Sequence, residues 1–252
     1  MMTKTDELTS QRYWEAYYHK ASVSRDQISF ICSVYDQFWE LLINKNECIN
    51  PSSILEIGGY PGRYLAYLSS KYNLTPTSLD FNSDREKINE TMASFGIDKF
   101  NVIQTDFLTH QPTGQFDIVI SNGFIEHFTN FNEVMDKHVA YLKEGGTMLI
   151  MIPNKRWFRK WYGILVDRKN LKAHNLMSMR KKVFTDFADR NKLELLEFTY
   201  FGGFAYTPHQ KLNMIQNFIY KSFRLLFKKM NPIIERHPNR FFSSSIVACF
   251  KK

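Results

Sequence analysis

The sequence predicts an α/β fold, built as a seven-stranded, mostly parallel sheet with helices on both faces. Short apolar runs alternate with segments whose apolar residues recur at helical spacing, as expected for parallel strands joined by crossover helices. The first such unit, ILEIGGYPGRYLAYLSSKY, joins an apolar strand to an amphipathic helix through a glycine-rich turn. With 252 residues and 44% hydrophobic content, the chain can bury one large core, so we expect a single domain over 1–252.

Seven runs have the character of strands. They lie at 53–57, Thr77–Asp80, Asn101–Gln104, Asp117–Ser121, Thr147–Ile152, Leu193–Phe201 and Ser244–Phe250. The last two are interpreted as an antiparallel edge. Helical patterns fall at 7–20, 25–44, 62–71, 83–95, 131–142, 180–191 and 211–230. The stretch LKEGGTMLIMIPN is interpreted as a helix end, a Gly-Gly turn and then a strand.

Three segments surround the strand-and-helix core at 49–152. Residues 1–48 form a predicted N-terminal helical cap, rich in aromatic residues such as Tyr13, Trp14 and Tyr17. Residues 153–192 and 204–240 interrupt the alternation and are interpreted as insertions on the carboxyl side of the sheet, where an acceptor would bind.

Composition favours a cytoplasmic protein without a metal. The three cysteines are scattered without metal-ligand spacing, as in proteins of a reducing compartment. The N-terminal sequence MMTKTDELTSQRYWE lacks the apolar region of a signal peptide, and no apolar run reaches the length of a membrane span.

The charge is divided unequally along the chain. Residues 1–152 hold 12 Lys/Arg and 19 Asp/Glu, a balance of −7, whereas residues 153–252 hold 21 and 6, a balance of +15. This basic part suits an acidic or phosphorylated substrate, a membrane surface or nucleic acid. A basic surface exposed to solvent is an equal alternative.

The glycine-rich turn carries the strongest functional signal. Gly58, Gly59 and Gly62 follow the first strand and permit close approach of the backbone to a ligand, and the next helix begins with free N–H groups. Glu56 is an acid within an otherwise apolar strand, which is unfavourable unless it meets a hydrogen-bonding or cationic partner. A bound aminoacyl sulfonium compound would supply such a partner.

Acidic residues end the first three strands in order. Asp80 follows Gly58 by 22 residues, the spacing at which a carboxylate binds ribose hydroxyls, and Phe81 lies beside it. Asp106 ends the third strand, with Phe107 beside it as a stacking surface for a purine. Each aspartate alone could equally cap a helix or a turn, but the ordered set is more specific. The fourth strand ends in a turn at Asn122 and Gly123.

These motifs resemble those of the class I S-adenosylmethionine-dependent methyltransferases over about residues 50–155. Glu56, Gly58 and Gly62 match the family pattern E/D-x-G-x-G-x-G, whereas Tyr60 stands in place of its middle glycine. The resemblance implies a Rossmann-like fold and S-adenosyl-L-methionine as cofactor. The GGYPG loop also resembles methyltransferases encoded among surface-polysaccharide genes, and the absence of G-x-G-x-x-G disfavours a dehydrogenase.

By the same resemblance, the donor site comprises the glycine loop with its Tyr60 and the residues at the strand ends. Asp80 would bind ribose, Asp106 and Phe107 the adenine, and Asn122 or Gly123 the methionyl part. Tyr60 is predicted to shape the wall of the pocket without abolishing binding.

Histidine is the natural base for a hydroxyl acceptor, because its pKa lies near neutrality. His127, directly after the fourth strand, is the first candidate, and His174 and His209 are the others. Each could instead be a structural or surface histidine.

Lys155, Arg156, Arg159 and Lys160 follow the fifth strand among aromatic residues and could bind a phosphate or carboxylate of the acceptor, or form an amphipathic helix. Asn154, Arg156 and Arg159 are the candidate substrate-binding residues of this segment.

The sequence therefore predicts a small-molecule methyltransferase that methylates a hydroxyl on an anionic sugar, a phosphorylated compound or a lipid-linked compound. N-methylation is the alternative reaction, and a non-catalytic binding protein on this fold is the alternative of a different class. The turn SNGF lacks the NPPY pattern of nucleic-acid methylation, so no nucleic-acid partner is expected. The basic amphipathic helix at 211–230 leaves peripheral membrane contact, a homodimer interface, a lid and simple core coverage open.

Overall fold

The computed structural model describes residues 7–9, 13–14, 24–48, 53–82 and 84–252 of the chain. Most of the predicted helix at 7–20, including Tyr17, lies outside these ranges and stays a prediction. In the described ranges, no helix combines the length and the apolar character needed to cross a bilayer.

A seven-stranded sheet forms the centre of the structure and confirms the predicted fold class. Its strands are β1 (Ser53–Ile57), β2 (Thr75–Asp80), β3 (Asn101–Gln104), β4 (Phe116–Asn122), β5 (Leu142–Pro153), β6 (Glu194–Phe201) and β7 (Ser245–Lys251). Their order is β3-β2-β1-β4-β5-β7-β6. β1 pairs in parallel with both β2 and β4, so the strand order reverses between β1 and β4. The carboxyl ends of these two strands border the crevice where such sheets bind ligands.

The last two strands form the predicted antiparallel edge of the sheet, with β7 inside and β6 outermost. β7 runs antiparallel to both β5 and β6, so the edge strand β6 runs in the same direction as β5. Burial gives the physical reason for this order. The run from Ile246 to Phe250 is fully buried, whereas β6 is only partly buried along its length. An apolar run of this kind gains most from an interior position that covers both faces.

Helices cover both faces of the sheet. They are α1 (Arg25–Ser33), α2 (Asp36–Lys45), α3 (Arg63–Tyr72), α4 (Arg85–Ser94), α5 (Phe131–Val139), α6 (Trp157–Val166), α7 (Arg168–Lys172), α8 (Lys181–Asn191) and α9 (Met214–Arg236). The predicted helix at 25–44 is divided at Val34 and Tyr35. At this division the Cys32 carbonyl accepts the backbone N–H of Tyr35 and the indole N–H of Trp39, both at 3.1 Å.

Several predicted boundaries are corrected. The helix at 131–142 ends at Val139, and β5 begins at Leu142 instead of Thr147. A Cβ atom on Gly146 would lie 2.9 Å from the carbonyl oxygen of Asp117 in β4. This glycine therefore permits close approach of two strands at an irregular point of their pairing, where the sequence suggested a turn. The helix predicted at 211–230 begins and ends later, as α9.

Apolar side chains pack on each face of the sheet and in a third cluster beyond it. One large cluster includes Leu55 and Ile57 of β1, and the other includes Ile54. The third cluster joins Tyr162 of α6 to Phe227 of α9. The two predicted insertions, 153–192 and 204–240, therefore pack against each other.

Candidate active site

The glycine loop joins β1 to α3 and requires glycine at two positions. Gly58 has φ of +70°, and a Cβ atom there would lie 2.5 Å from Cδ2 of Phe124. Gly62, with φ of +85°, caps the N-terminus of α3. Gly59 packs on Glu56, whose Cγ would lie 2.8 Å from a Cβ atom at this position. The loop therefore lies against the turn that follows β4.

Tyr60 forms part of the wall of this loop. Its ring is buried in the core beside α3 and α4, and its hydroxyl donates to Oδ2 of Asp84 at 3.0 Å. Its backbone N–H donates to Oδ2 of Asp80 at 3.0 Å. Tyr60 thus connects the loop to the end of β2, and its ring takes space that a glycine would leave empty.

Glu56 is buried at the centre of the site. Its Oε1 accepts a hydrogen bond from Nδ2 of Asn122 at 3.1 Å, and its Oε2 accepts one from the backbone of Leu65 at 3.3 Å. Burial raises the pKa of Glu56 to about 8, against the opposing effect of these two hydrogen bonds. Oδ1 of Asn122 is buried without a hydrogen-bond partner among the described residues. A cationic ligand would stabilise the carboxylate, and an N–H group would satisfy Oδ1 of Asn122.

A cavity of about 660 Å³ opens over the carboxyl ends of β1, β2 and β4. Most of the predicted donor residues line it, namely Gly58, Tyr60, Asp80, Phe81, Asp106, Phe107 and Gly123. Asp80 also accepts the backbone N–H of Asn82 at 2.7 Å, and Asp106 accepts that of Leu108 at 2.8 Å. These bonds fix both carboxylates at the cavity wall. Burial raises the pKa of Asp80, and backbone hydrogen bonds oppose that effect.

A second pocket of about 280 Å³ adjoins the first. The two share Trp14, Gly123 and His127 in their linings, so they meet at the turn after β4. The second pocket is also lined by basic and imidazole side chains from the insertions and the loop, namely Arg63, Lys155, Arg159, His174 and His209, and by Asn122 and Glu126. It is therefore suited to an acceptor that approaches a donor held in the first cavity.

His127 lies at the junction of the two cavities with its tautomer defined by a hydrogen bond. Nδ1 lies 2.7 Å from the carbonyl oxygen of Ala173, so Nδ1 donates and Nε2 keeps its lone pair. Burial lowers the pKa of His127 to about 4, with the carbonyl of Ala173 acting in the opposite direction. The ring is therefore neutral near pH 7 and Nε2 carries a lone pair, although burial makes this histidine a weaker base than an exposed one.

The described N-terminal residues cover this histidine. The ring of Trp14 lies edge-on to that of His127, with centroids 4.7 Å apart. The backbone of Leu8 donates to the carbonyl of His127 at 2.7 Å, and Glu7 pairs with Phe128. These contacts place Glu7, Leu8 and Trp14 beside the junction of the two cavities.

Three further groups converge on His127. Oε1 of Glu126 lies 3.5 Å from Nε2 of His127, and the ring of His174 lies 4.6 Å from the His127 ring. Nδ1 of His174 donates to the carbonyl of Asn170 at 2.6 Å, so its Nε2 is also a lone-pair nitrogen. Burial raises the pKa of Glu126 to about 8, against the charge of Lys155. Burial and then Arg159 lower the pKa of Lys155 to about 7.

Glu126, His127 and His174 are the described side chains that could hold a metal ion. Each offers one ligand atom, and these atoms lie within 4.8 Å of one another. Lys155 is buried beside them, and its ammonium group makes no hydrogen bond or ion pair with another described residue. The positive charge of Lys155 beside the trio disfavours a metal ion, so we interpret His127 and His174 as proton-accepting groups. Sequence reasoning did not include Glu126, although an acid in the apolar run FIEHF is the same signal as Glu56.

The predicted acceptor residues divide into two groups. Arg159 lines the second pocket, and its Nη1 donates to the carbonyls of Asn154 and Ser244 at 2.9 and 2.7 Å. Asn154 and Arg156 line neither cavity. The Asn154 amide donates to backbone carbonyls of the segment before β7, at 3.0 Å.

His209 lies at the far side of the second pocket. Its Nδ1 is 2.9 Å from Oδ2 of Asp167 and 2.8 Å from Nδ2 of Asn170. The structure therefore brings the rings of His127 and His174 into contact and pairs His209 with Asp167.

A family described as "Methyltransferase domain" matches residues 24–194, which is 171 of the 252 residues. Among curated proteins, none matches the sequence. Many solved structures have a similar fold.

A SAM-dependent methyltransferase from Archaeoglobus fulgidus is 16% identical with a TM-score of 0.57, covering 97% of this chain and 100% of that chain. The plantazolicin methyltransferase BpumL in complex with SAH is 17% identical with a TM-score of 0.56, and the match covers 96% of this chain and 90% of that chain. Coclaurine N-methyltransferase bound to N-methylheliamine and SAH is 14% identical with a TM-score of 0.53, and the match covers 86% of this chain and 70% of that chain. At these identities the likeness is one of fold.

Proposed function

The chain belongs to the methyltransferase-domain family, as its motifs predict, and from this premise we propose that it transfers a methyl group from S-adenosylmethionine to a hydroxyl of an anionic small molecule. The observation that carries the proposal is the position of His127. This residue lines both the cavity with the predicted donor residues and the adjoining basic pocket. A base at that junction can reach an acceptor hydroxyl beside the methyl group.

The larger cavity would hold the donor. Its volume of about 660 Å³ lies in the usual range for cofactor sites. Asp80 would accept hydrogen bonds from the ribose hydroxyls, and Phe107 would contact the adenine beside Asp106. The methionyl part would extend past Gly123, where its ammonium group can meet Oδ1 of Asn122 and the carboxylate of Glu56. Both groups are buried: Oδ1 of Asn122 has no described hydrogen-bond partner, and Glu56 has no described cation paired with it.

The smaller pocket supports an anionic acceptor. Lys155 and Arg159 both line it, and Lys155 is buried with no described ion-pair partner. A buried, unpaired ammonium group is unfavourable, which is why its pKa is lowered to about 7. A phosphate or carboxylate of the acceptor would pair with this group and keep it charged.

The transfer is an in-line displacement in which the protein mainly aligns the acceptor and excludes water. With S-adenosylmethionine bound, the donor would supply an activated methyl group: the acceptor oxygen would bond to the methyl carbon while the electron pair of the carbon–sulfur bond would stay on sulfur. The hydroxyl proton passes to Nε2 of His127. The hydrogen bond from Nδ1 to the Ala173 carbonyl holds the ring in place with Nε2 available to the acceptor.

N-methylation is the second candidate. Coclaurine N-methyltransferase shares the fold, and a neutral His127 would serve an amine acceptor equally well. The difference lies in the charge of the acceptor, because Lys155 and Arg159 favour an anion over a protonated amine. A non-catalytic binding protein is the candidate of a different class, and it would not need a base at the junction of two cavities.

Titration calorimetry with S-adenosylmethionine is the first test. The proposal requires binding at sub-millimolar donor, and no binding in that range would exclude the enzyme. Formation of S-adenosylhomocysteine is then followed with phosphorylated or carboxylated hydroxyl compounds and with amines. Turnover of amines alone would replace O-methylation by N-methylation.

The variant His127→Gln tests the base directly. We expect kcat to fall about 10²- to 10⁴-fold, as for removal of a general base, with a much smaller change in donor affinity. His110→Gln is the matched control, because His110 is a partly buried histidine that lines neither cavity. Equal losses in the two variants would show that His127 is not the base.

A further inference from the structure

The helices α6 and α9 present an apolar surface to solvent, and we infer that this surface docks on an anionic lipid bilayer. We call it the α6/α9 face and define it by the exposed residues Trp161, Leu165, Ile215, Phe218, Leu226 and Ile233. The inference concerns where the protein binds in the cell and does not depend on the methyl-transfer reaction.

The two helices form an antiparallel pair. The ring of Phe158, near the start of α6, lies 6.0 Å from that of Phe227 in the second half of α9. At the other end of the pair, Nε2 of Gln216 donates to the carbonyl of Leu165 at 3.1 Å. Opposite ends of the helices therefore meet, and helical periodicity places the side chains of the α6/α9 face on one flank of the pair.

α9 is apolar on two sides, and among the described residues one of these sides packs against the rest of the fold. Its inner side packs on α6 through Ile219, Phe223, Phe227, Met230 and Ile234. Its outer side is also apolar, and Phe218 and Met214 are 73% and 90% exposed. Trp161 of α6, on the same flank, is 68% exposed. A contiguous apolar surface of this kind marks an interaction site, because leaving it in water is unfavourable.

The charge around the face identifies its partner. Residues 157–172 and 214–236 together hold ten Lys/Arg and two Asp/Glu, a balance of 10 − 2 = +8. One of the two acids, Asp167, is buried and bonded to His209, so it contributes little to the outer surface. Apolar anchors within a basic border are typical of segments that lie in the interface of anionic membranes.

The same charge disfavours a second copy of the chain as the occupant. A two-fold interface would bring the same basic surface of two subunits together, and like charges at an interface repel. Exposed phenylalanine, tryptophan and leucine side chains would also gain nothing from a phosphate backbone. A bilayer with anionic headgroups satisfies both parts of the surface.

The position of the face has a consequence for the acceptor pocket. The acceptor pocket is lined by Arg159 of α6 and Asn170 of α7. At the end of α6, Nε2 of Gln210 donates to the carbonyl of Val166 at 3.1 Å. Docking of α6 on a membrane would therefore bring the pocket close to the lipid surface. An acceptor with a lipid tail would then reach it without leaving the bilayer.

Vesicle flotation without donor or acceptor tests the inference. We expect the wild-type protein to float with phosphatidylglycerol/phosphatidylcholine vesicles and to be released by salt, and to bind pure phosphatidylcholine vesicles weakly. The double variant Trp161→Ser/Phe218→Ser should lower the partition coefficient about tenfold or more, because two large apolar anchors are lost. Lys228→Glu/Lys229→Glu should lower it by a similar factor.

Phe30→Ser is the matched control. Phe30 lies on α1 and is 76% exposed, close to the exposure of Phe218, but it belongs to another surface. Binding of this variant and the melting temperatures of all variants should equal those of the wild type.

Three results would overturn the inference. They are failure of the wild type to bind anionic vesicles, equal loss of binding in Phe30→Ser, and a dimer in light scattering that Trp161→Ser/Phe218→Ser dissociates. The last result would assign the α6/α9 face to a second copy of the chain.

Discussion

Replacing Gly58 by alanine should damage both the fold and the donor cavity. Gly58 has φ of +70°, a conformation that costs an L-residue about 1–2 kcal/mol. The new Cβ would lie 2.5 Å from Cδ2 of Phe124, so the ring must move by about 1 Å to reach an ordinary carbon–carbon contact. Overpacking of this kind costs about 1–3 kcal/mol.

The two effects add because one acts on the backbone of the loop and the other on a neighbouring ring. The free energy of unfolding should therefore fall by about 2–5 kcal/mol. For a chain of this size, the melting temperature should fall by about 4–20 °C. Phe124 also lines the donor cavity, so its displacement should weaken donor binding at temperatures where the variant stays folded.

Thermal unfolding followed by circular dichroism, together with calorimetry using S-adenosylmethionine, measures both quantities. Gly114→Ala is the matched control, because a Cβ atom there would meet nothing within 4 Å and the backbone is not left-handed. Its stability should change by less than about 0.5 kcal/mol, with unchanged donor affinity. If Gly58→Ala behaved like Gly114→Ala in both assays, the close contact between the glycine loop and Phe124 would be wrong.

Three further predictions concern pH, metal and charge. Because donor binding should ionise Glu56, whose pKa in the free protein is about 8, donor affinity should weaken about tenfold for each pH unit below that value, and Glu56→Gln should remove this dependence in calorimetry. The raised pKa also means that the free energy of unfolding falls as the pH rises from 4.5, the ordinary pKa of glutamate, to about 8. Urea titration should show this fall in the wild type and not in Glu56→Gln. If His127 acts as a base, treatment with a chelator should leave turnover unchanged. If the chelator abolished turnover and a divalent metal restored it, Glu126, His127 and His174 would instead form a metal site. Lys155→Met should raise the KM for an anionic acceptor about tenfold or more without changing donor affinity, and an unchanged KM would remove Lys155 from acceptor binding.

Local patterns in the sequence predict the donor side of the site because its residues follow strands directly. Glu56 stands out as an acid in an apolar run, and Asp80 and Asp106 end the next two strands. Parallel strands bring their carboxyl ends to one edge, so three positions far apart in sequence become neighbours. The described cavity is lined by Asp80 and Asp106, with Glu56 directly beneath the loop.

The acceptor side depends on contacts that local patterns do not contain. Lys155, Glu126 and His174 belong to different segments, and the packing of the insertions brings them together. Asn154 was predicted to bind substrate, but its amide holds the segment before β7 in place. The interior position of β7 is equally non-local, because it follows from burial on both faces of the sheet.

A crystal structure of the protein with S-adenosylhomocysteine would test the central claim most directly. We predict that the product fills the cavity of about 660 Å³, with its ribose on Asp80, its adenine beside Phe107 and its sulfur near Nε2 of His127. Product bound elsewhere, or with its sulfur away from the junction at His127, would contradict the proposed methyl transfer.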